Sequence, residues 1–221
     1  ALKDKYDGLR NFTINRLDFK KDKIKEAAEP VLLDLAKNDS KRLVKANAIE
    51  KLGEFQNPAY AALFRMAIND SSYTVAGNAL EALAEIDSIA ALNEAKRLAK
   101  ENTKGALADA ITTVMIASGD ESSADMILSS FEKMPLSQRK FTLVQSIASF
   151  LVKTSNMDIV KRGVDDIVTF RDAIPEAFKG QTDGPINGIL KNIGAKKKDA
   201  GLTEQADYIK SKLPEEDKKG F

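Results

Sequence analysis

The sequence predicts an all-α fold, an α-solenoid of stacked antiparallel helix pairs repeating about every 31 residues. Three observations predict it. First, NDSKRLVKANAIEKLGE at 38–54 nearly returns as NDSSYTVAGNALEALAE at 69–85, with nine of seventeen positions identical and no gap. Unrelated segments share roughly one position in seventeen. Second, the apolar positions Val44, Ala48, Ile49, Leu52 and Val75, Ala79, Leu80, Leu83 are spaced four, one and three apart. That spacing draws one stripe along a helix of 3.6 residues per turn. Third, polar Asn/Asp/Ser breaks separate the helical runs at matching places.

Each element follows from the same logic. Ser40 and Ser71 stand where the repeated helices begin, and a hydroxyl there is expected to accept from a free helix N–H. Asn57-Pro58 opens a second run, AYAALFRMAI, with Pro58 suited to its first turn, and Ser88 opens IAALNEAKRLAK. A third copy places Ala108, Ala110, Ile111 and Val114 on the stripe, followed by a partner helix over 122–134 that turns Met126, Ile127 and Phe131 inward. An earlier copy uses Leu9, Thr13, Ile14 and Leu17, and its second helix carries Ile24, Ala28, Val31, Leu32 and Leu35. Pro30 within that helix predicts a kink. Beyond Pro135 the period loosens. Phe141, Val144, Ile147, Ala148 and Leu151 form one face and Leu143 and Phe150 a second, so that helix is expected to be covered on two sides. Ile159, Val160, Val164, Ile167 and Val168 keep helical spacing despite their branching. Pro175, Gly180, Gly184, Pro185 and Gly188 predict a long loop, with final helices over 186–198 and 203–213. The organisation expected is one helical-repeat domain over 1–213 and a mobile tail over 214–221, with little to bury but Phe221.

A helix pair of this length cannot bury its stripe alone, so neighbouring units share a core, and Ala48 and Ala79 let helix axes approach. The Asp, Val and Ala-x-x-x-Leu positions resemble HEAT-type repeats. Asn47 and Asn78 recur inside helices, where Asn carries a small propensity cost. Either they bond to a neighbouring unit or its loop, or they stand exposed on the outer face.

Composition restricts function more than it indicates one. The 221 residues contain neither His nor Cys, which excludes imidazole bases, thiolate nucleophiles and the usual nitrogen and sulfur ligands of zinc. Thirty-four basic residues face thirty-three acidic ones, so no net field draws the chain to nucleic acid or an anionic membrane. No apolar run has the length of a membrane span, and ALKDKYDGLR has no secretory h-region. The start without Met suggests a piece of something longer, and the compartment stays open. No residue is assigned a catalytic, cofactor-binding or metal-binding role.

The acidic stretch Gly119 to Asp125 lacks the order of a calcium loop and reads as an acidic helix start. Asp165-Asp166 reads as a solvated helix face, since adjacent helical residues point apart. Lys196-Lys197-Lys198, near Lys191, reads as a solvated helix C-terminus. Phe64 reads as core, Tyr60 as partly exposed, and Tyr60 with Arg65 as a candidate interface anchor.

YDGLRNFTINRL, LAKNDSKRLVKANAIEKLGEF, NDSSYTVAGNALEALAEID and QADYIKSKLPEEDKKGF together resemble one family. It is the C-terminal HEAT-like domain of bacterial, Bacteroidetes-type aminopeptidase N-like zinc metallopeptidases. The resemblance implies a non-catalytic domain that docks on its parent's catalytic domain and restricts substrate access. Zinc and every catalytic motif would lie in that other domain, and peptide substrate would pass along the concave face. A free-standing repeat scaffold that binds a protein partner is the alternative. Neither reading needs nucleic acid or a membrane.

Overall fold

The computed structural model describes residues 1–219, apart from the side chain of Arg139, and the expectation for Phe221 lies outside them. The fold is all-α, of the α-solenoid class, with no strand among the described residues. Two compact units divide the chain, Ala1–Met115 and Ile116–Phe221.

The first unit holds α1 (Asp7–Arg16), α2 (Asp22–Asn38), α3 (Arg42–Glu54), α4 (Ala61–Ala67), α5 (Tyr73–Ala84), α6 (Ser88–Leu98) and most of α7 (Gly105–Ser118). The repeated stripe is its core. Val44, Ala48, Ile49, Leu52, Val75, Ala79, Leu80 and Leu83 are all fully buried, as are Ile14 and Leu32. α3 packs against α1, α2 and α5, so each repeated helix is the wall of the next unit. Glycine sets how near these walls come. A Cβ on Gly53 would lie 2.8 Å from the Ala82 Cβ, and one on Gly77 would lie 2.7 Å from the Ala106 carbonyl oxygen. No side chain fits in either gap.

Several local expectations are corrected. Ser40 and Ser71 do not cap their helices. The carboxylates of Asp39 and Asp70 instead fold the turn just before each helix, accepting from the backbone N–H groups of Lys41 (2.8 Å) and Ser72 (2.9 Å), the residues that precede α3 and α5, and neither helix has a side-chain cap. A carboxylate one residue earlier reaches the N–H two residues on, and its charge suits the positive helix end. Pro58 does open a short 3₁₀ turn, Pro58–Tyr60, capped by Asn57. Asp87 caps α6 through the Ala90 N–H. α2 continues through Pro30 to Asn38. Leu9, assigned to the buried stripe, is exposed on α1.

The second unit holds α8 (Ala124–Lys133), α9 (Gln138–Lys153), α10 (Met157–Asp172), α11 (Glu176–Asp199) and α12 (Thr203–Ser211). α9 is covered on two sides, by α11 and by α10, with Val144, Ile147, Phe150 and Leu151 fully buried. α10 is helical despite its branched residues. Met126, expected inside, is exposed, whereas Ile127 and Phe131 are buried.

The largest correction is the absence of a loop over 175–188. α11 runs unbroken for 24 residues, with Pro175 as its N-cap and Pro185 inside it. Added Cβ atoms on Gly180, Gly184 and Gly188 would meet nothing, so these glycines form an open stripe at helical spacing. On the other face Ile186, Leu190 and Ile193 are buried, and this packing outweighs the propensity cost of glycine and proline. In the tail, Asp217 accepts from Asn187 Nδ2 at 2.8 Å and Lys191 Nζ at 2.6 Å.

Candidate interaction grooves

A groove of about 450 Å³ lies in the first unit, between the end of α2 and α4. Its apolar lining is Ala36, Leu63 and Ala67. Met66 stands 70% exposed on the rim. The polar lining comes from the recurring Asn-Asp break. Asn38 donates to Asp34, while Asn69 donates to the Arg65 carbonyl (3.1 Å) and accepts from Arg97 (3.2 Å). Asp70 holds the α4–α5 turn by accepting from the Ser72 N–H and from Lys45 Nζ at 3.0 Å. Burial would raise its pKa, but the Ser72 N–H and the Lys45 ammonium more than offset this, so it lies below the usual carboxylate value. Lys37 lines the groove as an exposed cation with no salt-bridge partner among the described residues.

A second groove, about 370 Å³, runs between α3 and α5 and is acidic, with Glu50, Glu54, Glu81 and Glu85 around Gly53 and Ala82. Burial, then the charges of Glu50 and Glu85, raise the pKa of Glu81. Lys51 answers two of these carboxylates, Glu54 at 2.6 Å and Glu50 at 3.5 Å. In the second unit a groove of about 390 Å³ separates α9 from α11, lined by Gln145, Ser149, Asn192 and the open edge at Gly188.

The residues singled out in the sequence take several different places. Asn47 and Asn78 are bonding residues: Asn47 Nδ2 donates to Asn11 Oδ1 (3.3 Å) and Asn78 Nδ2 to the Ala46 carbonyl (3.1 Å). Each joins neighbouring repeated helices, so the outer-face alternative is set aside. Tyr60 is buried rather than partly exposed, because its hydroxyl donates to Glu29 and its ring meets Phe64 edge-on. Phe64 is core and Arg65 pairs with Asp87 at 3.1 Å. The acidic stretch does not converge. Asp120 caps Ser122, Asp125 pairs with Arg162, and Glu121 accepts from the Ser155 and Asn156 N–H groups and the Thr154 hydroxyl. No group of three or more carboxylates among the described residues is arranged to hold a metal ion, and no described helix is long and apolar enough to cross a membrane.

Two readings of charged residues are corrected. Lys197 is not solvated but fully buried, and its ammonium donates to the Val152 (3.2 Å) and Thr154 carbonyls at the end of α9. Burial lowers its pKa, with Glu121 opposing. The signal was present in the sequence, since 197 is the next fourfold step after Ile186, Leu190 and Ile193. Asp165-Asp166 is not a uniformly solvated face either. Asp165 accepts from Tyr208 and Lys212, while Asp166 is half-buried. Lys191 is engaged by Asp217.

No curated protein and no solved structure matches the chain. Residues 29–133 match the family model of HEAT repeats, a kind of unit that commonly mediates protein–protein interaction, and with the repeated core this makes the chain a helical-repeat domain.

Proposed function

We propose that this chain is a non-catalytic helical-repeat module that binds a protein segment in the groove between α2 and α4. The observation that carries the reading is that groove's construction. An apolar floor, an exposed Met66 and the uncompensated Lys37 lie beside a backbone fixed by Asp70 and Asn69. An apolar side chain fits the floor, and a carboxylate or peptide carbonyl fits the ammonium. Cys and His are absent, so catalysis by thiolate or imidazole is excluded for this chain.

The partner best supported by the sequence resemblance is the catalytic domain of an aminopeptidase N-like zinc metallopeptidase within the same parent chain. Docking there restricts which substrates reach the zinc. Two experiments test the two levels of the reading. An immunoblot of source-cell lysate should show a band several times larger than 24.1 kDa that co-fractionates with chelator-sensitive aminopeptidase activity. A band at 24.1 kDa itself would replace this partner with a free-standing scaffold. For the groove, a Lys37→Glu, Met66→Asp double variant should lower affinity for the partner identified by cross-linking at Met66 by at least tenfold, with the melting temperature unchanged. Equal affinity would move the binding surface elsewhere.

A further inference from the structure

In the second unit, α10 brings four carboxylates, Asp125, Glu132, Asp165 and Asp166, and two cations, Arg162 and Lys140, into one cluster with α8 and α9. Asp166 lies at its centre, half-buried, and its Oδ2 has no hydrogen-bond partner among the described residues. The neighbouring donors are used elsewhere. Arg162, one turn earlier on α10, forks onto α8, reaching Asp125 (2.7 Å), Glu132 (2.9 Å) and the Ser129 hydroxyl (2.8 Å). Lys140 of α9 donates to the Met134 carbonyl (2.8 Å) and the Glu132 carbonyl (3.3 Å), with its ammonium over the Phe131 and Phe170 rings. Asp165 is taken by Tyr208 (2.7 Å) and Lys212 (2.6 Å) of α12. α11 meets α10 near its far end, through Asn187 and Arg171 at 2.8 Å. The groups acting on Asp166 are therefore Glu132, Asp165, Arg162 and Lys140.

We propose that Asp166 is a proton-operated latch of the second unit: neutral, it lets α10 seat against α8 and α9, and ionised, it loosens that seat. A carboxylate oxygen turned inward without a donor is tolerable when uncharged and costly when charged. Burial pushes this carboxyl up to about 6, Glu132 and Asp165 add to the shift, and Arg162 and Lys140 oppose it. The sign follows. A carboxyl whose folded pKa lies above its unfolded value holds its proton more firmly when folded. Its contribution is complete at low pH and declines as pH rises from about 4 to 6. The second unit thus tightens on mild acidification, where most carboxylate contacts begin to fail.

Hydrogen exchange of the full chain tests this, comparing α8–α10 amides at pH 5 and pH 8 after correction for intrinsic rates. α3 and α5 serve as the internal reference. Wild-type protection in α8–α10 should fall about tenfold at pH 8, and Asp166→Asn should hold the same protection at both values. Constant or rising wild-type protection, an equal fall in α3 and α5, or an Asn variant that still responds would overturn the latch. Should the variant not fold, the wild-type Asp166 side-chain carbon is read by NMR. A titration midpoint near 6 supports the latch, and one near 4 removes it.

Discussion

The two units solve the same problem, holding helices side by side, in different ways. The first repeats one solution. Arg10 grips Asp39 and Lys45 grips Asp70, the next repeat's equivalent, while Asn47 and Asn78 each bond to the repeated helix before them. The second uses bonds that occur once. Lys197, Glu121 and Gln205 converge on the turn between α9 and α10, where Gln205 Nε2 donates to the Ser155 carbonyl at 2.6 Å. Arg162 clamps α8 to α10. A repeated contact recurs with each neighbour, nearly enclosed at Asp39 and partly solvated at Asp70, whereas a singular one, buried at Lys197 or partly exposed at Arg162, must hold alone.

Four measurements sharpen this contrast, all by urea unfolding. The largest effect is expected from the shared core, where Leu83→Ala should cost about 2–5 kcal/mol. A loss under about half a kcal/mol would mean the repeated stripe is not what binds the first unit. Asp39→Asn comes next, at about 2 kcal/mol, because that carboxylate is nearly enclosed with Arg10, their side chains 5% and 11% exposed. Lys197→Met removes the donor from two buried carbonyls but also relieves a buried ammonium. A net loss of about 1–2 kcal/mol is expected, and a gain would show that desolvation of Lys197 outweighs its bonds.

Asp70→Asn should be smallest, about 0.5 kcal/mol, since the Lys45 pair is partly solvated at 25% and 19% exposure. That contribution also has a pH signature. The Asp70 pKa is lowered in the folded chain, so its share of stability is present above the ordinary carboxylate value and lost as pH falls below it. The dependence is opposite in sign to that of Asp166. If Asp39→Asn and Asp70→Asn cost the same, the equivalence of the repeats outweighs burial.

Much of the first unit was legible because its repeat states each position twice. Val44 and Val75, or Leu52 and Leu83, confirm one another before any coordinate is known. The part of Asp39 and Asp70 escaped because Ser and Asp stand side by side in each Asn-Asp-Ser break, and the carboxylate bonds the N–H of the residue before the helix, where the hydroxyl was expected to bond one inside it. In the second unit nothing is stated twice. Five Gly and Pro residues over 175–188 outvoted the stripe at Ile186, Leu190 and Ile193 by composition, although packing decides helix stability. Lys197 and Asp166 were misread because charge was taken as a sign of exposure. Both occupy steps of a buried stripe, and position on that stripe was the better guide. The α2–α4 groove was not legible at all, since Lys37, Lys45 and Met66 converge only once neighbouring repeats of the first unit are stacked.

The pairing of Arg10 with Asp39 and of Lys45 with Asp70 gives the chain interchangeable joints. Removing the thirty-one residues 39–69 joins Asn38 directly to Asp70 and returns the sequence to register. Arg10 then finds a carboxylate where it had one before, and Asn78 stands where Asn47 stood beside Asn11. Such a chain can gain or lose a storey without rewriting the floors above or below. A cooperative melt of the shortened protein would register that freedom, and a chain that failed to fold would show that each joint belongs to its own level.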